Sequence, residues 1–344
     1  MSDQSRFNYG GQAVIEGVMI RGRQYMSLAV RRQDGTIFQE SEPLNSLFTG
    51  GIRRIPLLRG TVVLLETLLL GMKALNKSAS MAALDPEDDE QQEISSWFMA
   101  GAVVLSLALG ISIFFMGPLL IVQYLIDPHI EEVPYIPSAQ LSNLIEGAIR
   151  LIALVAYIGG IGFFPDIKRV FAYHGAEHMA VHTHEAGLPL IVENVRKFDT
   201  PHPRCGTAFL LTVLLVSIVV FAFFPQPPLL WRIVSRIALI PVVAAISYEI
   251  IRFSGARQDK LIGQLVAGPG LLLQRLTTRQ PDESQIEVAI MAMEGAVAAD
   301  QGREFPAKAV TASGSDSGGD SIIDEEATGS VESADGPAEN SGPE

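Results

Sequence analysis

Thirty-three consecutive residues, 94–126, carry no charge. They include FMAGAVVLSLALGISIFFMGPLLIVQYLI and are bounded by Glu93 and Asp127. About 20 apolar residues suffice to cross the hydrocarbon core of a bilayer, and soluble core helices rarely run this long without a charge. The stretch predicts a transmembrane helix over 97–126. Three more follow: 141–164, with Glu146 and Arg150 near one end; 207–224, inside a 27-residue uncharged run between Arg204 and Arg232; and 229–253, which holds Arg232, Arg236 and Glu249. Pro225, Pro227 and Pro228 mark a tight turn, so the last two read as a helical hairpin. The expected fold class is mainly α: a polytopic helical membrane protein with about four transmembrane helices and a small cytoplasmic N-terminal β-hairpin region.

Composition agrees. Hydrophobic residues make up 48% of the chain and charged residues 18%, against about 25% charged in a typical soluble domain. The net charge of −13 sits in the C-terminal segment, because 281–344 holds 15 Asp+Glu and 2 Lys+Arg while 1–280 is neutral. No basic surface for nucleic acid is indicated. The single cysteine, Cys205, rules out an intramolecular disulfide. The first twenty residues lack the pattern of a signal peptide, so insertion is expected to be directed internally.

Loop charges set the expected orientation. Arg53, Arg54, Arg59, Lys73 and Lys77 precede the first span, the 127–140 loop has no Lys or Arg, and 165–206 carries Lys168, Arg169, Arg196, Lys197 and Arg204. Arg257, Lys260, Arg275 and Arg279 follow the fourth. Both termini and the 165–206 loop of this multi-pass chain are therefore expected to face the cytoplasm. Arg232 and Arg236 stand on the wrong side for this rule.

Outside the spans, 1–55 reads as a cytoplasmic β-region with a hairpin signal at Asp34-Gly35. Residues 56–77 read as an amphipathic or re-entrant helix, with a helix buried under the β-region as the equal alternative. An acidic linker, 78–96, leads to the first span. Segment 165–206 is a His-rich loop and helix. Residues 254–301 are expected to form cytoplasmic interfacial helices, with Pro269 breaking LIGQLVAGPGLLLQ. The Gly-, Ser- and acid-rich 302–344 has the composition of a disordered tail.

Five of the six histidines lie between 174 and 202. Tyr173-His174-Gly175-Ala176-Glu177-His178 contains H-x-x-E-H. On a helix His174 and His178 share one face, and His182 and Glu185 fall within about 80° of His174 at 100° per residue. Two imidazoles one turn apart suit a Zn²⁺-type ion, and Glu177 beside them suits a base. His202 and Cys205, in His-Pro-Arg-Cys-Gly before the third span, add an imidazole and a thiol. The expected divalent ion, zinc by donor type, is held by His174, His178 and His202, with His182, Glu185, Cys205 and Glu249 as further possible ligands and Glu177 as the catalytic group. The plainer alternative is a polar juxtamembrane helix face whose histidines bond their neighbours. Glu16, within an apolar run, reads as a strand residue facing solvent, and His129 as ordinary loop.

GGQAVIEGVMIRG (10–22), YHGAEHMAVHTHE (173–185) and VENVRKFDTPHPRCGTAFLL (192–211) together resemble the YqhQ-like family of bacterial multipass membrane proteins. The resemblance spans about residues 8–298. It implies a metal-dependent enzyme of unstated substrate, and its motifs fall on His174, Glu177, His178, His202 and Cys205.

The expected function is a metal-dependent hydrolase at the cytoplasmic membrane face, acting on a membrane-associated peptide, protein or lipid head group, with the bilayer itself as the standing partner. A non-catalytic membrane scaffold or assembly factor with a structural His cluster is the rival. A transporter is disfavoured, because the spans show few ionisable groups to bury and no paired broken helices.

Overall fold

A computed structural model describes residues 7–45, 55–56, 58–83, 96–130, 138–224, 227–257 and 260–303. Strands β1 (Gly10–Val14), β2 (Gly17–Arg21), β3 (Tyr25–Arg31) and β4 (Ile37–Pro43) form an antiparallel meander in the order β1-β2-β3-β4. The expected hairpin region is therefore a four-stranded sheet. Asp34 and Gly35 make the β3–β4 turn, Asp34 accepting from the Thr36 amide at 2.8 Å. Glu16 is not a strand residue. It occupies the β1–β2 turn at φ 51°, and its carboxylate pairs with Arg169 at 2.5 Å.

Both faces of the sheet are covered, which explains why β2 and β3 read as apolar runs without clean alternation. Helices follow in the order α1 (Leu58–Ala83), α2 (Ser96–Ile111), α3 (Gly117–Ile121), α4 (Asp127–Ile130), α5 (Ser138–Ile161) and α6 (Pro165–Glu185). Then come α7 (Val192–Val195), α8 (Gly206–Ala222), α9 (Leu229–Ala238), α10 (Ile240–Gly255), α11 (Leu261–Thr277) and α12 (Glu283–Asp300). Val18, Ile20 and Ala29 pack against Tyr173, Ala176 and Ala180 of α6 and Ala289, Ala292 and Met293 of α12. Their strand neighbours Met19, Leu28 and Val30 pack against Ala74 and Met81 of α1 on the other face. Segment 283–300, expected at an interface, is thus a core helix. Its start is fixed by a capping box between Asp282 and Gln285. The C-terminal half of α1 lies under the sheet, as the buried-helix alternative has it, while Leu64, Leu65, Leu68 and Leu69 in its first half face outward.

Helices α2, α3 and α4 join through π-helical turns at Ser112–Met116 and Val122–Ile126 into one long helix. Pro118 has no N–H for the carbonyl of Phe114 four residues back. Arg150 supplies the missing donor through Nε at 2.8 Å. Among the described residues two helices, Gly101–His129 and Ala139–Ile161, are long and apolar enough to cross a membrane, and the pair α9–α10, bent by 42°, makes a third if it counts as one span. The four expected spans are thus two or three by this measure. With 17 residues, α8 reaches only about 25 Å. Helix α11 runs through Pro269 without breaking.

The expectation of few buried ionisable groups is overturned. Glu146, Arg150, Arg232 and Arg236 are each 1–2% exposed. Glu146 bonds Arg150 at 2.6 Å and Arg236 at 3.1 and 3.2 Å. Arg232 bonds Asp127 at 3.0 Å and Gln123 at 2.6 Å. Arg236 also lies 4.1 Å from the Phe221 ring centroid. These arginines violate the positive-inside pattern because they are packed inside the bundle against partners and not in a loop. The 84–95 portion of the acidic linker, loop 131–137 and the tail from 304 lie outside the described residues.

Candidate metal centre

Pro165 at the first turn, after an extended Phe164, starts α6. Ten of its residues are buried, among them Tyr173, Glu177 and His178. This helix is a core element and not a solvated juxtamembrane face. Its histidines are met by the segment Thr200–Cys205. Pro201 disfavours helix at Thr200, so the carbonyls of this loop turn sideways onto α6.

The imidazoles of His174 and His178 are 4.4 Å apart, centroid to centroid. Nδ1 of His174 donates to the Thr277 carbonyl at 2.9 Å, and Nδ1 of His178 to the Thr200 carbonyl at 2.5 Å. Each ring then presents Nε2 as its lone pair. That arrangement, one ring nitrogen fixed by a carbonyl and the other free, is how metal-binding histidines are held. Nε2 of His174 lies 3.2 Å from Sγ of Cys205. Ligand atoms of His174, His178 and Cys205 fall within 4.8 Å of one another. Nitrogen and sulfur on one tetrahedral zinc stand about 3.5 Å apart, so the donors are spaced to share an ion. Cys205 caps α8, its sulfur accepting from the Thr207 amide at 3.3 Å.

Glu177 is 3% exposed, and its carboxylate stands 3.4 Å from Nε2 of His178. Burial pushes its pKa up to about 7, opposed by His174 and by a bond from the Gly11 backbone. Burial likewise lowers the pKa of His178, keeping that ring neutral and able to bind a cation.

His202 joins a second group with His182 and Glu185, although its ring is 5.5 Å from that of His178. Burial lowers its pKa to about 4. Glu185 also pairs with Arg204. Burial works to raise the Glu185 pKa, but the adjacent His202 ring and the Arg204 charge hold it below the usual carboxylate value. Glu249 is not brought to either group. It pairs with Arg59 of α1.

Two glycines make the geometry possible. A Cβ on Gly175 would meet the Arg279 carbonyl oxygen at 2.2 Å, so only glycine lets the 277–279 backbone reach His174. A Cβ on Gly11 would lie 2.4 Å from the Met19 carbonyl oxygen and 2.9 Å from Cγ of Glu177. The GGQ motif is thus the lid over the acid. Sequence reasoning missed Gly11, Thr200, Thr277 and Gln274, which holds the His202 backbone at 2.7 and 2.9 Å. Backbone carbonyls leave no residue signature. Only the two prolines around His202 hinted at a shaped loop.

Together these features define a mainly helical protein with a small antiparallel sheet, helices apolar enough for a membrane, and a buried histidine–cysteine–carboxylate cluster. The chain belongs to the family described as "Protein of unknown function (DUF1385)", whose pattern matches residues 55–299. It is 38% identical over 287 residues to "Uncharacterized protein YqhQ" of Bacillus subtilis (strain 168), covering 82% of this chain and 90% of that one. No solved structure matches it.

Proposed function

We propose that this protein is a zinc-dependent hydrolase of the bacterial inner membrane, with its metal site and both termini in the cytoplasm. The observation that carries the metal reading is the paired carbonyl anchoring of His174 and His178, which aims both Nε2 atoms at one place beside Cys205. A divalent ion there, when bound, supplies Lewis acidity that brings the pKa of a water near neutrality. Glu177, with its own pKa about 7, is poised to take that proton and return it to a leaving group. Tyr173 and Arg169 hold the β1–β2 turn over the helix through Glu16, at 3.3 and 2.5 Å.

Topology supports four crossings. The sheet, α6 and α12 share one core, which supports a common side for them in a membrane-spanning chain. If they share that side, crossings between them come in pairs: α2–α4 with α5, and the bent α9–α10 pair with α8, which at 17 residues would cross only a thinned bilayer. The basic residues flanking these pairs favour the cytoplasm for that side. The substrate class is a membrane-associated peptide or lipid head group, reached from that face.

A specific observation favours the second reading, a scaffold with a structural ion: Glu177, His178 and Cys205 are all buried, as in closed structural sites. Glu177→Gln separates the two. An enzyme keeps its metal and loses cellular function, measured by complementation of a strain lacking the protein. Unchanged function with metal retained contradicts the hydrolase.

A further inference from the structure

The loop that delivers Cys205 to His174 also brings a second set of donors together. His182, Glu185 and His202 each offer one ligand atom, and these lie within 4.8 Å of one another. None belongs to the His174–His178–Cys205 set. Nε2 of His202 is buried without a hydrogen-bond partner, in a residue 3% exposed. Buried polar atoms are normally paired. This nitrogen stands 3.5 Å from Oε2 of Glu185, at the outer limit of a hydrogen bond. Two ligands about 2 Å from one tetrahedral ion stand about 3.3 Å apart, so the spacing fits a shared cation better than a direct bond. The other oxygen of Glu185 is held by Arg204. His182 spends Nε2 on the Pro201 carbonyl at 3.0 Å, so with that bond kept it would ligate through Nδ1. Gln274 fixes the backbone of His202 through both N–H and C=O.

We propose that the centre is binuclear: a second divalent cation binds His182, Glu185 and His202 beside the one held by His174, His178 and Cys205. This rests on the metal reading of the first set. The two ligand sets differ in kind, N₂S for the first and N₂O for the second. The rings of His178 and His202, 5.5 Å apart, make the two sets neighbours. Two adjacent ions suit hydrolysis of an ester or amide whose attacking and leaving oxygens or nitrogens both need charge stabilised. Binding at Nε2 puts the His202 ring proton on Nδ1, so the 3.3 Å contact from the Arg204 amide to Nδ1 opens on loading.

The test is a Co²⁺ titration of the full-length protein in detergent, followed by total metal analysis and by the thiolate-to-cobalt charge-transfer band, which reports Cys205 alone. The wild type should take two ions per chain. His182→Ala/His202→Ala, and the milder Glu185→Gln, should drop this to one with the band intact, which also shows that the variants are folded. Cys205→Ser should lose the band and keep one ion. A wild type that saturates at one ion with the band present overturns the binuclear proposal and leaves the one-ion reading standing. So does a double variant that still binds two. Saturation at no ion overturns both.

Discussion

Nε2 of His174 lies 3.2 Å from Sγ of Cys205, a contact between a helix interior and the cap of another helix 31 residues further on. On the proposed metal reading, Cys205 would ligate the first ion alongside the two histidines. Loss of a partner that only orients a ligand costs about 10–100-fold in metal affinity. Cys205→Ala, which removes a donor outright, should cost more than ~100-fold, measured by competition with a chromophoric zinc chelator. An affinity within threefold of wild type would assign the thiol to helix capping alone.

Gly11→Ala should destabilise the protein by about 1–3 kcal/mol, the usual cost of overpacking, because the new methyl meets Met19 and Glu177. Metal content should persist, since no donor is touched, while any activity that depends on Glu177 falls. Thermal unfolding and zinc content together check this. An unchanged melting point would mean that β1 does not press on the acid.

Glu177 and His202 give the metal-free protein two opposed pH dependences. The folded Glu177 carboxyl keeps its proton to about pH 7, whereas the unfolded one releases it near 4.5. Its contribution thus falls as pH rises between those values, by about 3 kcal/mol in all. Folded His202 stays neutral down to about pH 4, and the unfolded ring protonates near 6.5. Its contribution is complete above 6.5 and is lost as pH falls toward 4, by a similar amount. Chemical denaturation at several pH values in chelator should show Glu177→Gln gaining stability with rising pH and His202→Gln losing it. Identical slopes in the two variants would contradict the assigned burial.

Glu146 stands between Arg150 and Arg236, all three buried. Removing one member of a buried ion pair typically costs about 3–5 kcal/mol. Glu146→Ala should therefore abolish stable accumulation in membranes or lower the unfolding midpoint sharply. Arg169→Ala, which breaks the exposed pair with Glu16, should cost at most about 1 kcal/mol. Equal effects would show that the cluster is not the keystone of the bundle.

The topology can be read with single cysteines. His129 and Leu188 are exposed, and Cys205 is buried, so background labelling is low. His129→Cys should react with an impermeant maleimide in intact cells, and Leu188→Cys only after permeabilisation. Both reacting under the same condition would contradict paired crossings.

The sequence made the first long apolar helix, the α6 histidine stripe and the turn at Asp34-Gly35 readable, because charge absence, helical spacing and turn chemistry are local. It did not reveal that Val18 and Met19 serve opposite covered faces, since alternation disappears when both faces are buried. Arg232 and Arg236 looked like misplaced loop charges, because their partners Asp127 and Glu146 are remote in sequence. The division of donors between two sets was equally hidden. His202 and Cys205 are three residues apart, yet the Pro201–Pro203 loop points one toward Glu185 and the other toward His174.

The most direct test is the zinc content of the purified full-length protein beside His174→Ala/His178→Ala, with folding of both verified by circular dichroism. The account requires metal in the wild type and loss of the ion bound with Cys205 in the double variant. Equal zinc in the two proteins, or none in the wild type after purification in zinc-supplemented buffer, would contradict it.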